Sequence, residues 1–299
     1  MIAFVLRRFV TAVLFVIVVS SAALILGRLA PADDGGFGTV QNPVAIAENR
    51  AAAGLDRPLL VQLRDWVLGL AVLDLGKSSV YKQPVRALVI ERAGATAQLG
   101  AVALLLATLI GVPCGILTGA RPGGALSWLI SPISIALIAC PPIVGALGLL
   151  VVAISTGWLS AAPGSLALPA IALALPIAAM LERLQSQATT EAIASPELTA
   201  AAARGVPPAR LVWVHAARQS LRPVLGVYGL VIGSLFSGSL AVEKIASWPG
   251  LGQLMFDALV ARDLFLVAGC ALAGAVFIAA GNFAADVLRA VADPRVRLA

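Results

Sequence analysis

The chain has 299 residues, of which 60% are hydrophobic and 12% charged, and its mean hydropathy is +0.97. Soluble domains carry about 25% charged residues, so that class is excluded, whereas roughly six membrane crossings of about 20 residues each fit the length. The formal charge of +6 suggests nucleic acid at first sight, but Lys and Arg retained in the cytoplasmic loops of a membrane protein explain it better, and no nucleic-acid partner is expected.

A first span at residues 9–29 follows Arg7-Arg8. Its apolar run is too long for a signal peptide and no A-x-A cleavage site follows, so it reads as a retained helix. Residues 31–94 form the one sizeable polar portion. Residues 31–43 read as turn and coil. Residues 45–53 and 58–73 have helical patterning, the latter with Leu59, Leu60, Leu63, Val67 and Leu70 on one face. Either a small helical cap over the outer mouth or an ordered loop packed on the membrane helices fits them. Further spans are expected at residues 95–120, 126–155, 166–181, 224–242 and 264–287. The expected fold is all-α: a polytopic membrane protein of about six transmembrane helices. Gly111, Pro113, Gly115, Pro141-Pro142, Pro169 and Pro176 interrupt these spans. They suit either a kinked, gated path or ordinary close helix packing. Cys114, Cys140 and Cys270 each lie in an apolar run and read as small hydrophobic filling.

Charge sets the direction. With the N-terminus inside, the cytoplasmic side holds Arg7, Arg8, Arg121, Arg183, Arg204, Arg210, Arg218, Arg222, Arg289, Arg295 and Arg297, against Glu182, Glu191, Glu197, Asp286 and Asp293. The other ten bases and ten acids cancel, so the whole +6 lies inside. N-in, C-in is the expected topology.

Catalytic chemistry finds no constellation. His215 is the lone histidine, and no Cys/His or H-E-x-x-H spacing or membrane-embedded carboxylate pair is visible. Neither a catalytic residue nor a metal site is expected. Gly76-Lys77-Ser78 imitates the end of a phosphate-binding loop, but Ala71 stands where its first glycine is required. Ion-coupled carriers keep ionisable residues near the membrane midplane. Here Glu182, Arg183 and Asp286 read as lying near cytoplasmic span ends, which leaves the midplanes uncharged and places the energy source in a partner. Sodium bound by backbone carbonyls would escape that argument.

The polar stretch 195–225 is the most informative one. Pro196 to Ala203 is Ala-rich and favours helix, Gly205 ends it, Pro207-Pro208 turns the chain, and a second helix begins near Ala209 with Arg210, His215 and Arg218. Small side chains there admit another protein's groove; a basic amphipathic helix at lipid headgroups is the equal alternative. Trp248, Pro249 and Gly250 form either a re-entrant turn with an interfacial Trp anchor or an outer gate or binding-protein contact. Glu243 and Lys244 read as solvated outer-side charges.

At these residues the sequence resembles the permease subunits of ABC importers, the binding-protein-dependent transport family. The family's E-A-A-x-x-x-G motif aligns with Thr199-Ala200-Ala201-Ala202-Ala203-Arg204-Gly205, with Thr199 in place of the glutamate, as is usual in the peptide-transporting branch. His215 to Leu225, Leu6 to Val10, Gly27 to Pro31, Gly54 to Leu59, Asp74 to Ser78, Glu243 with Ser247 to Gly252, Ala261 to Asp263, Asn282, Asp286 and the tail Asp293 to Arg297 extend the likeness along most of the chain. It implies the first of the two permeases of a dipeptide, oligopeptide or nickel importer, with a type I importer permease fold. Residues 1–30 would be the first transmembrane helix, 31–94 an extracytoplasmic loop with short helices, and 95–299 a five-helix core with a cytoplasmic coupling loop near 195–222. The implied partners are a second homologous permease, two ATP-binding subunits, an extracytoplasmic substrate-binding protein and membrane lipid. ATP and Mg belong to the ATP-binding subunits, and no cofactor to this chain. Ala200, Ala201 and Gly205 would dock on an ATPase, with Arg204, Pro207, Arg210 and His215 as neighbours. Glu243, Trp248, Pro249 and Gly250 would form an outer gate or receptor contact. An ion-coupled carrier or channel, an importer of nickel or another small solute, and a scaffold without transport activity are the other readings.

Overall fold

The computed structural model describes residues 2–29, 57–160 and 162–292, and helices dominate them. The expected segment 45–53, the coil 31–43 and the tail 293–299 lie outside the described residues. Among the described residues, four helices are long and apolar enough to cross a membrane: α1 (Ile2–Leu29), α3 (Val85–Ala120), α6 (Ala167–Ile193) and α11 (Leu264–Ala292). Two bent pairs supply the other two candidate spans. One pair is α4 (Ala125–Ala139) with α5 (Pro142–Thr156); the other is α8 (Pro208–Leu225) with α9 (Tyr228–Ile245). The shorter helices are α2 (Leu59–Ala71), α7 (Pro196–Ala203) and α10 (Leu251–Val260). This is the all-α, polytopic architecture expected from composition.

Three span boundaries need correction. Residues 126–155 are not one straight crossing, because α4 and α5 meet at 110°. Prolines alone do not break these helices, since Pro113, Pro132, Pro176 and Pro223 all sit inside helices. At Pro141-Pro142 the chain does leave the helix, with two successive residues, Cys140 (φ −81°, ψ 119°) and Pro141, each extended before a proline ring. Pro141 has φ −57°, ψ 140°, and Pro207 before Pro208 has nearly the same angles. In the second correction, α6 continues past Leu181 to Ile193, so Glu182 lies within the helix rather than at its end. Finally, α3 begins at Val85, ten residues before the expected start.

The chain divides into two compact units. In the unit of Ile2–Ala97 and Pro249–Ala279, α1, α2 and the start of α11 meet around Trp66. Its ring stacks on Phe265 at 6.5 Å between centroids, and its Nε1 lies 3.5 Å from Ser20 Oγ. Of the expected apolar face of 58–73, Leu59, Leu63 and Leu70 are half-buried but Leu60 and Val67 are exposed, and the residue that this helix buries is Trp66. Asp263 sits at the N-terminus of α11, 1% exposed. Its carboxylate accepts from Ser78 Oγ (2.6 Å), Val80 N (3.2 Å) and Leu266 N (3.2 Å), so one side chain both caps a helix and clips the 72–84 loop. The Gly76-Lys77-Ser78 hydroxyl is therefore already engaged, which accounts for the phosphate-loop likeness as a turn motif.

In the unit containing Gln98–Trp248 and Ala280–Ala299, α6 is the central element, packed by α3, α4, α5, α8 and α9. Gly111, Gly115 and Gly119 fall on one face of α3. A Cβ at any of them would collide with the backbone carbonyl of Ala178, Glu182 or Ser186, the middle one at 2.6 Å. These glycines therefore serve direct backbone packing of α3 on α6.

Candidate functional site

The stretch 195–225 folds as its residue types dictate. Ser195 takes an extended conformation and its Oγ accepts from Leu198 N at 3.4 Å, Pro196 occupies the first helical position, and Glu197 lies in the first turn of α7. Gly205 adopts φ +83°. Gly205 N and Val206 N then donate to the carbonyls of Ala202 (2.9 Å) and Ala201 (3.3 Å), closing the helix end. No heavy atom lies within 4 Å of a Cβ built there, so glycine is required by backbone angle and not by crowding. Pro207 is extended and Pro208 starts α8.

α8 departs from a regular helix. Leu211–Ala216 is π-helical, one residue wider per turn, a feature frequent at functional sites. Ala216 and Ala217 are turned inward, while Trp213 (48% exposed), Val214 and His215 face outward. Beneath the turn, Ala192, Leu198 and Ala216 form a small core, joined by Ile193 and Leu211. Gln219 Nε2 reaches Glu197 Oε2 at 3.4 Å, tying α8 to α7 at the surface.

The expected docking residues therefore divide. Ala200, Arg204, Gly205, Pro207, Arg210 and His215 are exposed around the turn. Ala201 is 7% exposed and packs inward, so it supports the turn rather than presenting a surface. Thr199 is exposed and donates to Ser195 O at 3.0 Å. Trp213 and Val214 were missed by the sequence reading. Their signal is the four-residue apolar run Leu211-Val212-Trp213-Val214 immediately before His215 in an otherwise basic stretch.

The outer-side candidates are corrected more heavily. Glu243 is 0% exposed rather than solvated, whereas Lys244 is exposed. Trp248 is 6% exposed, so its ring is buried in protein and is not an interface anchor. Its backbone N–H donates to the backbone carbonyl of Glu243 at 2.9 Å across Ser247, which adopts φ +51°. Pro249 is exposed, and Gly250, buried, precedes α10. Glu182 is likewise 4% exposed and accepts from Thr118 Oγ1 at 2.7 Å. The spans are thus not free of ionisable side chains, and the energetic argument from empty midplanes loses its premise.

Residues 111–298 match the family described as the binding-protein-dependent transport system inner membrane component, and residues 1–100 match the N-terminal region described for the same membrane components. The chain belongs to this family. It is similar to the di/tripeptide transport system permease protein of Pseudomonas aeruginosa (31% identical, covering 86% of each chain). It is also similar to the dipeptide transport system permease protein of Escherichia coli K12 (30%, 86% of each) and the oligopeptide transport system permease protein of Bacillus subtilis (28%, 99% of each). As an inner membrane component with several membrane-crossing helices, the protein is a multi-pass permease of a binding-protein-dependent transport system.

Proposed function

We propose that this permease carries di- or oligopeptides inward as one subunit of an ATP-driven importer, and that the α7–α8 turn is its joint with an ATP-binding subunit. The substrate class rests on relatives named for dipeptide, di/tripeptide and oligopeptide transport. The joint rests on one observation above the rest: a glycine-closed helix end and a Pro-Pro turn stand exposed over their own small core. Such a protrusion is rigid, small-surfaced and shaped for a groove. Arg204 and Arg210 beside it favour an acidic rim on the partner.

In this reading the chain is N-in, C-in, holds no catalytic residue, and relies on ATP and Mg bound by two ATP-binding subunits. A second permease completes the path, and an extracytoplasmic binding protein supplies the peptide. Closure of the ATP-binding pair pushes the Gly205 turn and switches access from one side to the other. Purification through a tag on this chain should bring down two ATP-binding subunits and a second permease. In proteoliposomes, Gly205→Trp should leave the complex assembled but reduce uptake of a labelled dipeptide by about tenfold or more, a coupling loss in the usual allosteric range. Uptake by the isolated chain, without ATP, would point instead to an ion-coupled carrier.

A further inference from the structure

Between α6 and α8 a buried amide and two hydroxyls are bound to one another. Gln185 Nε2 donates to Thr189 Oγ1 (3.1 Å) and to Ser220 Oγ (2.7 Å); Thr189 Oγ1 donates to Ser220 Oγ (3.3 Å), and Ser220 Oγ donates to Ala217 O (3.3 Å). Each hydrogen has one acceptor, so all four bonds can exist together. The three side chains are at most 2% exposed, and Gln185 Oε1 is buried without a hydrogen-bond partner. Hydrogen bonds in such surroundings are strengthened, and parting them strands buried donors. Sliding α8 along α6 would break Ser220 from both partners at once.

The same residues of α6 also face α3, where Gln185 and Thr189 lie against Gly115 and Gly119. Gly115 of α3 lies against the backbone of Glu182 and the side chain of Gln185, Thr118 donates to Glu182, and Thr190 Oγ1 donates to Gly119 O at 3.1 Å. One helix, α6, is thereby joined by polar bonds to both α8 and α3, with Gln185 and Thr189 lying between them.

We propose that Gln185, Thr189 and Ser220 are positioning residues that hold α6 and α8 as one lever throughout the transport cycle. Movement of the Gly205 turn is then delivered to α6 and α3 instead of being lost in slippage of α8. The π-helical stretch lies between the turn and this joint, and the core of Ala192, Leu198 and Ala216 braces it. The proposal rests on the docking reading of the turn.

The test uses the complete importer in proteoliposomes, with Cys114, Cys140 and Cys270 changed to Ala and with Thr189→Cys and Ser220→Cys added. Radiolabelled dialanine uptake and ATP hydrolysis are read before and after oxidation. Uptake should persist with the disulfide closed. Arrest on oxidation and recovery on reduction would overturn the proposal, since α8 must then move against α6. Separately, Gln185→Met and Thr189→Val should raise the ATP hydrolysed per dipeptide by about fivefold or more, the lower end of typical coupling energies, while Thr189→Ser restores the ratio. An unchanged ratio in assembled complexes bearing Gln185→Met and Thr189→Val also overturns it. Gly205→Trp is run alongside: if it alone uncouples, the α6–α8 lever is wrong and docking stands; if it has no effect, docking at the turn is wrong.

Discussion

Single residues carry the sharpest distinctions. Asp263 holds three hydrogen bonds while nearly excluded from solvent. Asp263→Ala should lower stability by about 3 kcal/mol through stranded donors, read as a lower unfolding midpoint in detergent, with Asp263→Asn less severe. Glu182 separates the two transport mechanisms. Its carboxylate accepts from Thr118, a bond that glutamine can also accept, so Glu182→Gln should keep ATP-driven uptake within about twofold. A carrier that relied on this carboxylate for ions or protons would lose uptake instead. Neither the burial of Glu182 nor that of Glu243 was legible in the sequence. A charge beside a predicted span end reads as solvated unless its neighbour is known, and Thr118 lies far away in the chain. Gly205 was legible, because a helix end that needs positive φ leaves a glycine in the sequence itself.

At the level of elements, the seam between α3 and α6 is the feature most exposed to test. Gly115→Ala should cost about 1–3 kcal/mol by forcing the helices apart, seen as reduced thermal stability of the purified chain. Gly100→Ala on the same helix meets nothing within 4 Å and should be neutral. The sequence placed small residues in this span but left their purpose open, since gating kinks and close packing use the same residue types. The partner's backbone decides between them. Helix α7 was readable from its Ala-rich composition and its Gly205 terminator, because both are local. The 110° bend between α4 and α5 was not, because prolines also sit inside helices that continue through them. The π-helical stretch of α8 leaves no local mark either.

For the whole molecule, composition and charge set the class, and the family assignment sets the task. The proposed N-in, C-in orientation rests on where the arginines cluster. Cysteines introduced in the cysteine-free chain at Leu60 and at Arg204, both exposed, should label oppositely in intact cells with an impermeant thiol reagent: Leu60→Cys modified, Arg204→Cys protected. The same two sites test the central claim when a thiol-reactive photocross-linker is attached to the assembled importer. Docking at the Gly205 turn requires that Arg204→Cys cross-link to an ATP-binding subunit and that Leu60→Cys does not. Cross-linking from Leu60, or none from Arg204 in an intact, ATP-hydrolysing complex, would contradict it.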